Sequence, residues 1–205
     1  LDIIGAGPAY SDRPGATGAA YLVRHGTTAI VLDLGQGAFT RLAGTLEPSG
    51  LAAVIVSHLH PDHFIDLVSL RHYLRYEFHP PRRIRVLGPL ALPDRLDALH
   101  DEPGFSAQAL DAEQLGDLEH VIGDLILRAA LVTHTEESYA MRVAPERLAA
   151  LAMPALLLVG TEDAFFSIEG LREVAALLPR ARLHVFPGVG HSVYFEEPDA
   201  FNGMV

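Results

Sequence analysis

Apolar and polar positions alternate along this chain in short blocks, and most of the blocks are of strand length. Residues 1–4 read as a short strand running into a Gly5-Ala6-Gly7-Pro8 turn. Residues 20–23 and 28–32 are apolar runs on either side of His25-Gly26, which predicts a hairpin. Residues 39–46 have helical spacing, ended by Glu47-Pro48-Ser49-Gly50. Val54-Ile55-Val56 is a β-branched run of the kind that fills a buried strand. A helix is predicted from about residue 63 to residue 76, with Ile65, Leu67, Val68, Leu70 and Leu74 at its apolar positions. Residues 84–87 predict a strand and 92–99 a helix. Residues 115–120 and 122–132 suggest further strands, with Gly123-Asp124 as a turn. A strand ending at His134 is then followed by an alternating strand up to Val143. Beyond it come a short helix at 146–151, a strand at 153–159, a helix at 167–178, a strand at 181–186 and a glycine-flanked loop at 187–192. Strands alternating with helices predict an α/β layered protein.

Composition narrows the field without deciding it. A chain of 205 residues has room for one domain with a real core or two cramped ones. At 49% hydrophobic and 20% charged it is globular in composition, not disordered. A formal net charge of -11 does not favour a nucleic-acid surface, and the dense basic cluster at Arg82, Arg83 and Arg85 reads as a solvated strand flank. There is no cysteine, so any metal has to be held by His, Asp and Glu. No apolar run is long enough to span a bilayer, and no signal segment opens the sequence, so the expected location is the cytoplasm. A start at Leu1 is that of a trimmed chain or a fragment. The Gly5-x-Gly7 pair does not read as a dinucleotide loop, because Pro8 follows it and a helix does not.

The chemistry concentrates after the β-branched run, in Ser57-His58-Leu59-His60-Pro61-Asp62-His63. In an extended segment residues two apart point the same way, so His58, His60 and Asp62 converge while His63 leans elsewhere. Imidazole nitrogens with one or two carboxylate oxygens suit zinc, and also iron or manganese. His58-x-His60-x-Asp62-His63 resembles the HxHxDH signature of the metallo-β-lactamase superfamily, and its surroundings are most similar to the ribonuclease Z-like and phosphodiesterase-like branches. The resemblance runs from Leu1 to about Val143. It implies an incomplete αββα sandwich and zinc as cofactor, two ions in the family and one or two here. His58, His60 and His134 would hold one ion, and Asp62 and His63 the other, with Asp62 also orienting the attacking hydroxide. Asp33, at a strand end before Gly35, resembles the family aspartate that braces the metal-binding loop. The implied substrate is a small molecule or a phosphodiester or related ester, attacked by a zinc-activated water.

After Pro145 the family's Ser-Gly-Asp and late histidine are absent in that form. The tail, from about 153 to 201, is instead similar to the C-terminal end of α/β-hydrolases, with Asp163 as triad acid and His191 as triad base. The sequence contains no Gly-x-Ser-x-Gly nucleophile segment to serve them. Two domains are therefore expected, 1–145 and 153–205, the second a β-α-β unit. Three readings stand side by side: a metal-dependent hydrolase, an esterase using Asp163 and His191, and a non-catalytic metal-binding remnant. A further expectation is that the tail strands extend the sheet and bring Asp163 and His191 in as ligands of the second ion. The oligomeric state is open, a homodimer included.

Overall fold

The computed structural model describes residues 1–134, 137–145, 155–177 and 180–204, and divides into two units, Leu1–Glu146 and Arg147–Val205. The first unit begins with strands β1 (Asp2–Gly5), β2 (Ala20–His25) and β3 (Thr28–Leu32), helix α1 (Ala38–Ala43) and strand β4 (Ala53–Ile55). Helices α2 (Pro61–Phe64) and α3 (Leu67–Tyr76), strand β5 (Ile84–Gly88) and helix α4 (Leu92–His100) follow. Strands β6 (Leu110–Gln114), β7 (Glu119–Ile122), β8 (Leu125–Leu131) and β9 (Tyr139–Pro145) complete it.

Strands β1 to β6 form one sheet in sequence order, antiparallel from β1 to β3 and parallel from β3 to β6. Strands β7, β8 and β9 form a second, antiparallel sheet. The alternation within β3 and β4 explains the layering. Val31, Val54 and Val56 pack with Leu42, Leu67, Leu70, Leu74, Leu92 and Leu96 of the helices. Ile30, Ala53 and Ile55 face the other way, against Ile122, Leu125, Leu127 and Tyr139 of the second sheet. A strand covered on both faces needs an unbroken apolar run, as 53–56 is.

Two expectations are corrected here. The helix expected from residue 63 to 76 is broken into α2 and α3. The carbonyls that would continue it are used elsewhere: Ala19 N–H donates to the Asp62 carbonyl (2.8 Å) and Leu34 N–H to the His63 carbonyl (2.7 Å). The Asp66 amide in turn donates to Leu34 O (3.0 Å). The strand expected at 115–120 is displaced: β6 runs over 110–114, and β7 begins at Glu119. In β6 only Leu110 is buried, so no apolar alternation marks it. Backbone pairing with β5 and the cross-strand pairs Arg83–Asp111 and Arg85–Glu113 hold it instead. Those pairs also take up two arginines of the basic cluster.

The second unit contains strand β10 (Ala155–Gly160), helix α5 (Ile168–Leu177), strand β11 (Ala181–Phe186) and short helices α6 (Val193–Glu196) and α7 (Pro198–Asn202). Its strands pair with each other in parallel as a two-stranded sheet, so the expected extension of the larger sheet is not what the tail forms among the described residues. Phe186, Val189 and Val193 make its small core with Leu158 and Phe201. The helix expected at 146–151 lies outside the described residues.

The close approach of 33–35 to α2 leaves no room for a side chain at Gly35, where a Cβ would lie 1.8 Å from the Asp62 carbonyl oxygen. Gly35→Ala should therefore destabilise the protein by about 2 kcal/mol or more, as overpacking a rigid contact does. Gly50→Ala, whose Cβ would meet nothing within 4 Å, serves as the control and should stay within about 0.5 kcal/mol of the parent. Urea unfolding followed by circular dichroism measures both.

Candidate metal centre

β4 ends at Ile55, and Val56 N–H still donates to Leu87 O of β5 (2.7 Å), so Ser57 emerges from the C-terminal edge of the parallel strands. Asp33 emerges beside it from β3 and adopts φ +60°, a left-handed conformation that aspartate tolerates better than most residues. Its buried carboxylate accepts Ser57 N–H (2.7 Å) on Oδ1. On Oδ2 it accepts the Ser57 hydroxyl (2.9 Å) and faces His63 Nδ1 (2.8 Å). Ser57 Oγ lies 2.9 Å from His58 Nδ1. With the Ser57 hydroxyl donating to Asp33, His58 Nδ1–H donates to Ser57 Oγ and His63 Nδ1–H to Asp33. The Nε2 atoms of both rings are then left as lone-pair donors, as in metal sites whose outer partners fix the tautomer.

His134 arrives on the loop after β8, closed by Val132 N–H to Ser138 O (2.9 Å) and tied to the first sheet by Tyr139 N–H to Ser57 O (3.0 Å). Glu137 pins this loop: it accepts Leu90 N–H (2.9 Å), Gln114 Nε2 (3.2 Å) and the Tyr139 hydroxyl. The result is a cluster in which one ligand atom from each of His58, His60 and His134 lies within 4.8 Å of the others. His58 Nε2 is 3.2 Å from His60 Nδ1, and the ring centroids of the three residues are 4.7 to 5.1 Å apart. Three imidazoles crowded with their nitrogens together are a donor set that fits zinc.

Asp62 does not join that triple. Pro61 opens α2 and turns the chain, so parity along an extended strand no longer applies, and Asp62 Oδ2 comes within 3.6 Å of His63 Nε2. Burial above all, and then the neighbouring His63, His134 and His60 rings, push His58 down to about 3, so its imidazole is neutral. His63 is shifted the other way: burial opposes its proton, but the hydrogen bond to Asp33 and the charges of Asp33 and Asp62 outweigh it. In the second unit, Asp163 Oδ2 lies 3.1 Å from His191 Nδ1. Burial works against the Asp163 charge, yet the Phe165 and Phe166 amides and His191 bring its pKa below the usual carboxylate range.

Residues 13–143 match the family model described as the metallo-beta-lactamase superfamily. The chain belongs to this superfamily. Residues 100–198 also match the model described as alpha/beta hydrolase fold, which takes in the Asp163–His191 tail. An uncharacterized protein of Mycobacterium tuberculosis is 31% identical over 151 residues, 68% of this chain and 53% of the relative. A ribonuclease Z of Mycobacterium marinum is 30% identical over 102 residues, 48% of this chain and 36% of that enzyme. The chain thus spans about half the length, or less, of the curated relatives it matches. Among solved structures, the metallo-beta-lactamase fold protein YhfI from Bacillus subtilis superimposes with a TM-score of 0.67 at 18% identity, over 95% of this chain and 89% of that one. The short form of human tRNase Z does so at 0.59 and 17%, over 93% and 92%. At such identities the likeness is one of fold.

Reading the superfamily residues in sequence reached the histidines, Asp62 and Asp33, but not Ser57 or Glu137. Ser57 carried one signal, its place between a buried strand and the first histidine. Glu137 carried none, because two of its three partners, Leu90 and Gln114, come from distant segments.

Asp33→Asn should lower zinc affinity 10- to 100-fold while leaving every candidate ligand in place, since it weakens the hold on Ser57 and His63. Competition with a chromophoric chelator measures this, and unchanged affinity would show that Asp33 does not orient the site. Glu137→Ala should weaken binding in the same assay by freeing the His134 loop.

Proposed function

We propose that this protein is a metal-dependent hydrolase that cleaves a phosphodiester or a related ester. The observation that carries the reading is the His58–His60–His134 cluster at the strand ends, with the Asp62–His63 pair beside it. The three histidines would hold one zinc ion, and Asp62 and His63 would contribute to a second. Zinc held there supplies a water acidified towards neutrality and a Lewis acid for the phosphoryl or carbonyl oxygen. The chain's own groups do the rest. Asp33 and Ser57 hold His58 and His63 in one tautomer, and the Asp62 carboxylate accepts a hydrogen bond from the attacking water and aligns it. The relatives named ribonuclease Z and tRNase Z, together with a solved diphosphatase of the PhnP family (TM-score 0.60, 13% identity, over 93% of this chain and 81% of that one), favour phosphate esters. A small-molecule substrate is preferred over nucleic acid, because the net charge is -11 and Arg83 and Arg85 are paired with acids.

One observation favours the esterase reading: Asp163 and His191 are assembled as an acid–base pair. The sequence supplies no Gly-x-Ser-x-Gly nucleophile for them to activate, so the pair cannot by itself form an acyl-enzyme.

Elemental analysis of folded protein after dialysis against trace zinc should find one to two ions per chain, and none would sink the metal reading. Hydrolysis of bis(4-nitrophenyl) phosphate should be zinc-dependent and removed by chelator. His60→Ala should cost at least ~100-fold in kcat/KM, whereas His191→Ala should leave the rate within about twofold. The reverse pattern would favour the esterase.

A further inference from the structure

Next to His60 lies a cleft of about 550 Å³, within the range of small-molecule sites. Leu59, His60 and Pro61 form one wall, Arg95 of α4 another, and Glu137 reaches it from the His134 loop. The two charged groups differ in what they have left to give. Glu137 is saturated by the Leu90 amide, Gln114 and the Tyr139 hydroxyl. Arg95 is exposed, and among the described residues its guanidinium has no hydrogen-bond or ion-pair partner. Several other arginines of this unit are engaged: Arg71 with Phe105 O and Gln108, Arg83 with Asp111, Arg85 with Glu113 and Arg128 with Glu119. Among the described residues lining the cleft, the one arginine or lysine is therefore one whose donor fork has no partner among the described residues, and that fork matches the oxygens of a phosphate.

We propose that Arg95 is a specificity residue of this site, binding a phosphate oxygen of a small phosphate ester whose reacting centre lies at His60. The inference rests on the hydrolase reading and narrows it: the substrate is an anionic ester of about nucleotide size or smaller. A cleft of this volume takes such a molecule whole. Arg95 gives the charge selectivity that the acidic chain otherwise lacks.

The test is a calorimetric titration of zinc-loaded protein with phenylphosphonate, an anion that is not hydrolysed, and with its neutral diethyl ester. The wild type should bind the anion. Arg95→Met should weaken that binding tenfold or more without changing zinc content or the circular dichroism spectrum. Arg95→Lys should recover only part, because it keeps the charge and loses the fork. Binding of the neutral ester should be the same in all three. Equal affinity of wild type and Arg95→Met for the anion, or no anion binding by the wild type, overturns the assignment. Rates on bis(4-nitrophenyl) phosphate separate the two ideas. Turnover with a KM indifferent to Arg95→Met refutes Arg95 and leaves the hydrolase standing. Arg95-dependent anion binding without any turnover refutes the hydrolase and leaves Arg95 as an anion-binding residue.

Discussion

The Asp33 carboxylate is the constraint on which the geometry of the candidate metal centre depends. It is buried, held at a positive φ, and joined to the ends of β4 and α2 through Ser57 and His63. Burying a charge and holding a left-handed backbone both cost free energy. Hydrogen bonds to an ionised acceptor return about 1.5–3 kcal/mol each, and Asp33 has three such partners. The interaction is therefore affordable only when all of them are present, which makes the loop geometry close to all-or-none. Asp33 donates nothing to the centre itself. It decides which nitrogen of each neighbouring ring faces the site.

Around that carboxylate the fold adds restraints that do not involve side-chain chemistry. The Asp62 and His63 carbonyls leave the helix ladder to accept Ala19 and Leu34, so the two candidate ligands are fixed by backbone. Tyr139 N–H to Ser57 O ties the second sheet to the same point. Asp33, His58 and Pro89 follow β3, β4 and β5, which run parallel, and their C-terminal ends therefore open on one edge. Sites in α/β sheets form at such edges because loops there can vary while the strands remain packed.

This architecture also explains what the sequence could reveal. β3, β4 and β5 were legible because burial on one or both faces writes itself as an apolar pattern. β6 was not, since four of its five residues are exposed and it is held by backbone bonds and arginine–carboxylate pairs. The break between α2 and α3 was hidden for a related reason. Apolar spacing continues through Ile65, and the competing donors, the Ala19 and Leu34 amides, sit far earlier in the chain. The histidines stood out because the resemblance rests on their spacing. The grouping of Asp62 with His63 followed from that resemblance, whereas parity along the strand stops applying at Pro61, where α2 begins and Asp62 comes within 3.6 Å of His63.

The two halves of the centre differ electrostatically, and the difference has a chemical consequence. His58 is kept neutral by burial and by the rings around it, so its ring offers a lone pair and no charge. The Asp33–His63–Asp62 side carries two carboxylates around one imidazole. On the proposed function, a cation would be drawn to that side and held by the other, while an anionic substrate would be repelled unless positive charge were already in place. The acidic side would thus, on that function, make metal occupancy a precondition for binding a phosphate ester. The wall of the cleft that bears Arg95 is, on the same proposal, the side from which such an anion would be admitted.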